Sequence, residues 1–189
     1  VMFQANNTNF VELNGFRFET FISDGSISVP ESRPNLTVPI QLGIRITNKT
    51  SSPKRFLDFY LTPEILSKNS KLVGLVFARN VTLFVSESNF KLLKPGESTI
   101  FKLNSKLTLY QGTMRLSILS MDGGVWTSFN SLEFGSYKVR FHYRTEPPIG
   151  HRFLGKDSKG NPIYDSLFEF DDLWTGSIFT PYRILSLIK

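Results

Sequence analysis

From Tyr137 to Arg144 the chain alternates without a fault. Tyr137, Val139, Phe141 and Tyr143 fall on one side and Lys138, Arg140, His142 and Arg144 on the other. Successive side chains of an extended chain point to opposite faces, so this spacing predicts a strand with an aromatic face and a cationic face. The run 16–22 reads as a first strand after Gly15. The run 38–47 is a second, with Val38, Ile40, Leu42, Ile44 and Ile46 on one side; Pro39, lacking an N–H, suits a strand start or an edge. Apolar runs follow at 56–61, 72–77, 81–85, 99–103 and 114–118, with 163–170 and 182–188 closing the chain. The runs 72–77 and 81–85 are either a hairpin or one strand bent at Arg79-Asn80. Thr62-Pro63-Glu64 opens either a helical turn or a strand continuing through Leu66.

The punctuation between these runs is that of turns. Pro95-Gly96 has the sequence of a type II turn, whose second central residue needs positive φ. Asp122-Gly123-Gly124 marks another turn, and Trp126 and Phe129 are read as lying in the loop before the 137–144 strand. Residues 145–162 carry three prolines and three glycines and read as a long connection, either a loop or an open hairpin. Many short strands with almost no 3.6-residue periodicity predict an all-β, antiparallel β-sandwich or barrel. The expected organisation is a polar N-terminal segment over 1–15 and a single β-sandwich domain over 16–189.

The 189 residues are enough for a sizeable core, and eighteen phenylalanines make it a core built on Phe. Net charge is +6 and the sequence pI is near 9.6, with the cations spread along the whole chain. That predicts a mildly basic surface rather than a basic tail. Cysteine is absent, which excludes disulfides, thiolate nucleophiles and cysteine metal sites. Its absence fits a cytoplasmic setting better than a periplasmic one. No apolar run approaches the roughly 20 residues that a membrane helix needs, and no signal peptide is visible. Asn6, Asn35, Asn48 and Asn80 each open an Asn-x-Ser/Thr sequon.

Two stretches resemble bacterial immunoglobulin-like β-sandwich domains. The first is Leu93-Lys94-Pro95-Gly96-Glu97-Ser98 with Phe101, followed later by Gly135-Ser136-Tyr137-Lys138-Val139, and the second is Leu173-Trp174-Thr175-Gly176 with Thr180-Pro181. The first is similar to intracellular proteinase inhibitors of bacilli as well. The resemblance implies an immunoglobulin-like sandwich, here with additional strands or long loops. It touches turn and core residues and so speaks to fold rather than activity.

The most function-like feature is the cationic face of Lys138, Arg140, His142 and Arg144, with His151 and Arg152 just beyond. Four alternate cations span roughly 20 Å, enough to follow several phosphates. The competing reading is a solvated face paired with carboxylates of neighbouring strands. Aromatics for base stacking fall on the opposite side of that strand, which counts against nucleic acid. Trp126, Phe129 and Trp174 are candidate partner contacts if exposed together, and plugs for the ends of the sandwich if not. Asp157-Ser158-Lys159-Gly160-Asn161, with Asp165, Glu169, Asp171 and Asp172 nearby, faintly suggests a calcium loop but lacks its closing Glu. His142 and His151 fit no catalytic spacing, and no nucleophile elbow or phosphate loop is present. Asp171 and Asp172 are adjacent, so as strand residues they point apart and cannot converge on one glycosidic bond.

No enzyme, metal site or cofactor is therefore expected. The leading expectation is a non-catalytic module that binds another protein through loops and a sheet edge, with a proteinase-inhibitor-like role among its forms. The alternatives are a polyanion or membrane-surface binder using the 138–144 stripe, and a carbohydrate-binding domain around Trp174 and Asp172. The residues do not set the oligomeric state or the partner.

Overall fold

The computed structural model describes residues 9–29, 36–79, 85–146 and 149–189. They form sixteen strands. In chain order the first eight are β1 (Val11–Leu13), β2 (Phe16–Ile22), β3 (Ser26–Ser28), β4 (Leu36–Asn48), β5 (Lys54–Leu57), β6 (Leu61–Leu66), β7 (Leu75–Arg79) and β8 (Phe90–Leu93). The second eight are β9 (Ser98–Tyr110), β10 (Thr113–Leu119), β11 (Gly124–Ser128), β12 (Gly135–Thr145), β13 (Ile149–Lys156), β14 (Pro162–Phe168), β15 (Gly176–Phe179) and β16 (Arg183–Ile188).

Two sheets make the sandwich. The larger has seven strands in the order β1-β2-β4-β9-β10-β11-β7, all antiparallel. Its spine is the pair of 13-residue strands β4 and β9. The smaller sheet is centred on β12. β6 pairs with one flank of β12, while β15 and β16 share the other flank end to end. The parallel pair β16·β3 departs from the all-antiparallel expectation.

The alternation that predicted each strand is the alternation that builds the core. Phe16, Phe18 and Ile22 of β2, Ile40, Leu42, Ile44 and Ile46 of β4 and Tyr137, Val139, Phe141 and Tyr143 of β12 turn inward, and all are buried. Each fully buried side chain of this size is worth about 1.5–3 kcal/mol. One end of the core is aromatic: Trp174 stacks on Tyr143 (5.3 Å, 17°) and Phe56 (5.9 Å, 21°) and tilts against Phe18.

The break between β15 and β16 falls at Thr180-Pro181. Thr180, fully buried, replaces the missing ladder bonds: Phe141 N–H donates to its Oγ1 at 3.0 Å, and its own N–H donates to the Phe141 carbonyl at 2.9 Å. The same hydroxyl meets Thr20 Oγ1 of the opposite sheet at 2.6 Å, and Thr20 donates to the Pro181 carbonyl.

The open alternatives of the sequence resolve in particular ways. Thr62-Pro63-Glu64 lies in a strand, not a helical turn. Residues 149–168 form a hairpin whose partners pair from Ile149↔Phe168 to Lys156↔Pro162. Gly96 has φ +79°, and Glu97 N–H bonds the Lys94 carbonyl at 3.0 Å, as a type II turn requires. A second small core of Leu57, Phe59, Val85, Phe90, Ile149 and Leu173 lies beside the main one. β1 falls within the stretch 1–15 and pairs with β2, so part of that polar segment belongs to the sandwich.

Candidate functional site

The two main sheets end in five outer strands, β1 and β7 on the larger and β6, β3 and the four-residue β15 on the smaller. An outer strand exposes unpaired N–H and C=O groups that template another chain unless something blocks them. β1 and β3 are only three residues long. On β6, Val73 N–H donates to the Ile65 carbonyl at 2.8 Å, so Ile65 turns its backbone groups away from β12. Alternation then points Pro63 the same way, and Pro63 has no N–H to offer.

β7 carries no such guard. Phe129 N–H donates to the Gly74 carbonyl at 2.8 Å, and the register runs on through Thr127↔Val76 and Val125↔Ala78. Bonded and non-bonded pairs alternate along an antiparallel ladder. Val76 and Ala78 therefore bond to β11, while Leu75, Phe77 and Arg79 turn their N–H and C=O groups outward. No described strand pairs with that side. The strip is apolar: Leu72 and Phe129 are 67% and 68% exposed, and Val76 is 50% exposed.

Behind this edge lies a cleft of about 380 Å³, between β7 and β11 on one side and β6 and β12 on the other. Tyr60, Phe77 and Trp126 supply its aromatic walls, and His142, Arg144 and Asp122 stand at its polar side. Phe77 lies opposite Trp126 in a close cross-strand pair, with ring centroids 4.6 Å apart. The ring of Phe77 lies on Gly124, where a β-carbon would come within 2.1 Å of it. The Trp126 indole N–H is buried with no partner among the described residues. Arg79 fixes Asp122 at 3.2 Å.

The cationic stripe is on the outer face of β12, but much of it is engaged. Arg140 Nε donates to Glu64 Oε1 at 2.7 Å, and its guanidinium lies over the rings of Phe179 and Tyr182, 4.5 Å from each. Tyr182 also donates to Glu64 Oε1. Partial burial of Glu64 opposes its ionisation, but the bonds from Arg140 and Tyr182 outweigh it and hold the carboxyl below its ordinary value. His142 stacks on Phe179 (4.4 Å, 12°), and its Nε2 lies 2.7 Å from Ser177 Oγ. Burial, then the charge of Arg144, lower its pKa, so the ring is neutral at pH 7 and adds no cation to the stripe. Arg144 approaches Glu146 at 4.0 Å. Lys138 and Arg144 are the exposed cations of the stripe, at opposite ends. The premise that aromatics are confined to the other side of this strand is corrected: β15 and the residue before β16 bring Phe179 and Tyr182 onto the cationic face, where they are taken up by Arg140 and His142.

The three aromatics separate. Trp126 is in strand β11, not in a loop, because 124–128 pairs with both β10 and β7. Phe129 is exposed beside β7. Trp174 is 2% exposed at the centre of the aromatic core, so it is no partner contact and offers no sugar platform. Asp172 binds Arg55 at 3.0 Å. Asp157 accepts from the N–H groups of Lys159 and Asn161 and from Asn161 Nδ2, which closes the tip of the β13–β14 hairpin. The side chains of His151, Arg152 and Asp165 lie outside the described residues, as do the sequons at Asn6, Asn35 and Asn80. Asn48 is fully buried: its amide donates to the carbonyls of Ser52 and Leu93 and accepts from Thr50, so it is a structural residue rather than a glycan acceptor.

Sequence reading found the apolar run at 72–77 but not that it leads into an edge, because β11, the one described strand that pairs with β7, lies about fifty residues on. The available signal was the contrast with Pro63. Comparison with protein-family models, with curated proteins and with solved structures finds no match to this chain.

Proposed function

We propose that the protein is a non-catalytic interaction module that takes an extended segment of another protein as an added strand along β7. The observation that carries this reading is the row of outward N–H and C=O groups at Leu75, Phe77 and Arg79 on the unguarded outer strand. In strand addition, main-chain bonds supply affinity and pockets for alternate side chains supply specificity. A strand laid on β7 sets every second side chain over the cleft walled by Tyr60, Phe77 and Trp126. The fitting partner therefore carries apolar or aromatic residues at alternate positions. Pairing of β7 with a second copy would join only five residues a side, far short of the roughly 800 Å² per partner of a stable interface. A separate peptide segment, which also fills the cleft, suits the edge better.

The likeness to bacterial immunoglobulin-like domains gains support from Tyr137 at the start of β12. Its hydroxyl donates to the Glu133 carbonyl and accepts from the Glu133 N–H, both at 2.9 Å. A tyrosine tied back to the backbone a few residues upstream is a feature of such sandwiches.

The test is selection from a library of random ten-residue peptides displayed on phage, followed by titration of the recovered peptides against the wild type and Arg79→Pro. That substitution removes one outward N–H and no main-chain bond to β11; it also removes the exposed ion pair with Asp122, a loss that Arg79→Ala reproduces alone and against which Arg79→Pro is compared. We expect alternating apolar peptides that bind Arg79→Pro about tenfold more weakly, one lost bond of about 1 kcal/mol plus a misaligned edge, with the melting temperature retained. Recovery of no peptide, equal binding to the variant, or a dimer of the wild type that Arg79→Pro dissolves would each overturn the reading.

A further inference from the structure

A second surface, independent of the β7 edge, lies on the outer face of the large sheet. The five adjoining strands β4, β9, β10, β11 and β7 contain no Asp or Glu. Their outward positions carry four exposed cations, Arg45, Lys102, Lys106 and Arg115. None forms an ion pair with a described residue. The register puts them on one diagonal. Arg45 lies opposite Ile100, Lys102 two residues further along β9, Lys106 four beyond that, and Arg115 opposite Thr108. At about 3.4 Å per residue and 4.8 Å per strand, the track runs roughly 28 Å from Arg45 to Arg115. The carboxylates on this face belong to β1 and β2: Glu19 lies directly across from Arg45 and partly counters that end of the track, and Glu12 is bound to Arg17 at 3.2 Å.

The geometry points to this diagonal as a binding track for a linear anionic polysaccharide, a sulfated or carboxylated glycan chain. Lys102, Lys106 and Arg115, clear of any carboxylate on the face, with Arg45 at the end of the line, match a line of anions, and releasing the counterions of such a chain favours binding. The positions between the cations select the chain. Gln41, Asn104, Thr108 and Ser117 lie between or beside them, offering amides and hydroxyls to a hydroxyl-rich ligand. The ring among the cations is Phe21, and the Lys102 ammonium lies 5.8 Å from its centroid. With that ring engaged, the exposed ring left on the track is Tyr110, at the far end beside Arg115, a single platform where single-stranded nucleic acid stacks successive bases. The apolar side chains beside the cations are the half-buried Ile100 and Phe21 and the short Pro39, which offer no projecting anchor to enter a bilayer.

The experiment is titration of a fluorescent heparin octasaccharide at several salt concentrations against the wild type and two variants of equal charge. Lys102→Gln/Lys106→Gln changes the track, and Lys138→Gln/Arg144→Gln changes the outer face of the small sheet. We expect the track variant to bind about tenfold or more weakly with a shallower salt dependence, and the small-sheet variant to bind as the wild type does, all three melting alike. Equal losses in the two variants would show a response to net charge alone and overturn the track. So would oligothymidylate of matching charge, or phosphatidylserine vesicles, binding the track more tightly than the octasaccharide. No binding at low salt would overturn it as well.

Discussion

Gly43 stands where a β-carbon would meet the Phe101 carbonyl oxygen at 1.9 Å. That oxygen is backbone of the neighbouring spine strand and cannot move aside, and the missing side chain also leaves room on the outer face for Lys102 to reach the ring of Phe21. Gly43→Ala is expected to lose about 3 kcal/mol or more in urea denaturation, and a loss below about 1 kcal/mol would contradict the close approach of β4 and β9. Asp58 is strained in another way. Burial, opposed by the charge of Lys91, raises its carboxyl from 3.8 to about 6. Between those values the folded protein holds a proton that the unfolded chain has released, so stability falls as pH rises through this window and is level above it. Asp58→Asn removes the buried charge. It is expected to stabilise the protein at pH 7.5 by about 2 kcal/mol, allowing for the part of the carboxyl that still meets water. The difference between variant and wild type should vanish near pH 4. A difference independent of pH would mean that Asp58 ionises normally in the fold.

Among the elements, β12 was legible because one side of it is buried against the other sheet and one is not, and the sequence alternates accordingly. Phe141 and Tyr143 are fully buried. The roles of Arg140 and His142 were not legible, because Glu64, Phe179 and Tyr182 reach them from strands distant in sequence. Trp174 misled in the same way: it follows two acidic residues in a turn-like stretch, yet it fills the space left among Phe18, Phe56 and Tyr143. Pro181 has no N–H for a ladder and so breaks the run from β15 to β16, but the repair by Thr180 depends on Thr20 and Phe141 and could only be seen in three dimensions. Thr180→Val keeps the shape and removes the acceptor of the Phe141 N–H, so it should cost about 1–3 kcal/mol. An unchanged melting curve would mean that the two sheets do not depend on this tie.

At the scale of the whole molecule, the alternating pattern told the fold class, because burial between two sheets is what that pattern encodes. It could not tell which strands end the sheets or which outward cations share a face, since both depend on pairing order. Five strands without a carboxylate become a cationic face only when β4, β9, β10, β11 and β7 lie side by side. The outer strands differ in the same hidden way, with β6 guarded by Pro63 and β7 left open. Site-resolved amide hydrogen exchange of the isolated protein tests that openness most directly. Leu75, Phe77 and Arg79 should exchange close to the rate of free amides, while Val76 and Ala78, bonded to β11, are slowed on the order of a hundredfold. Protection of all five amides alike would mean that the outer side of β7 is already occupied, and the edge could not receive a partner strand.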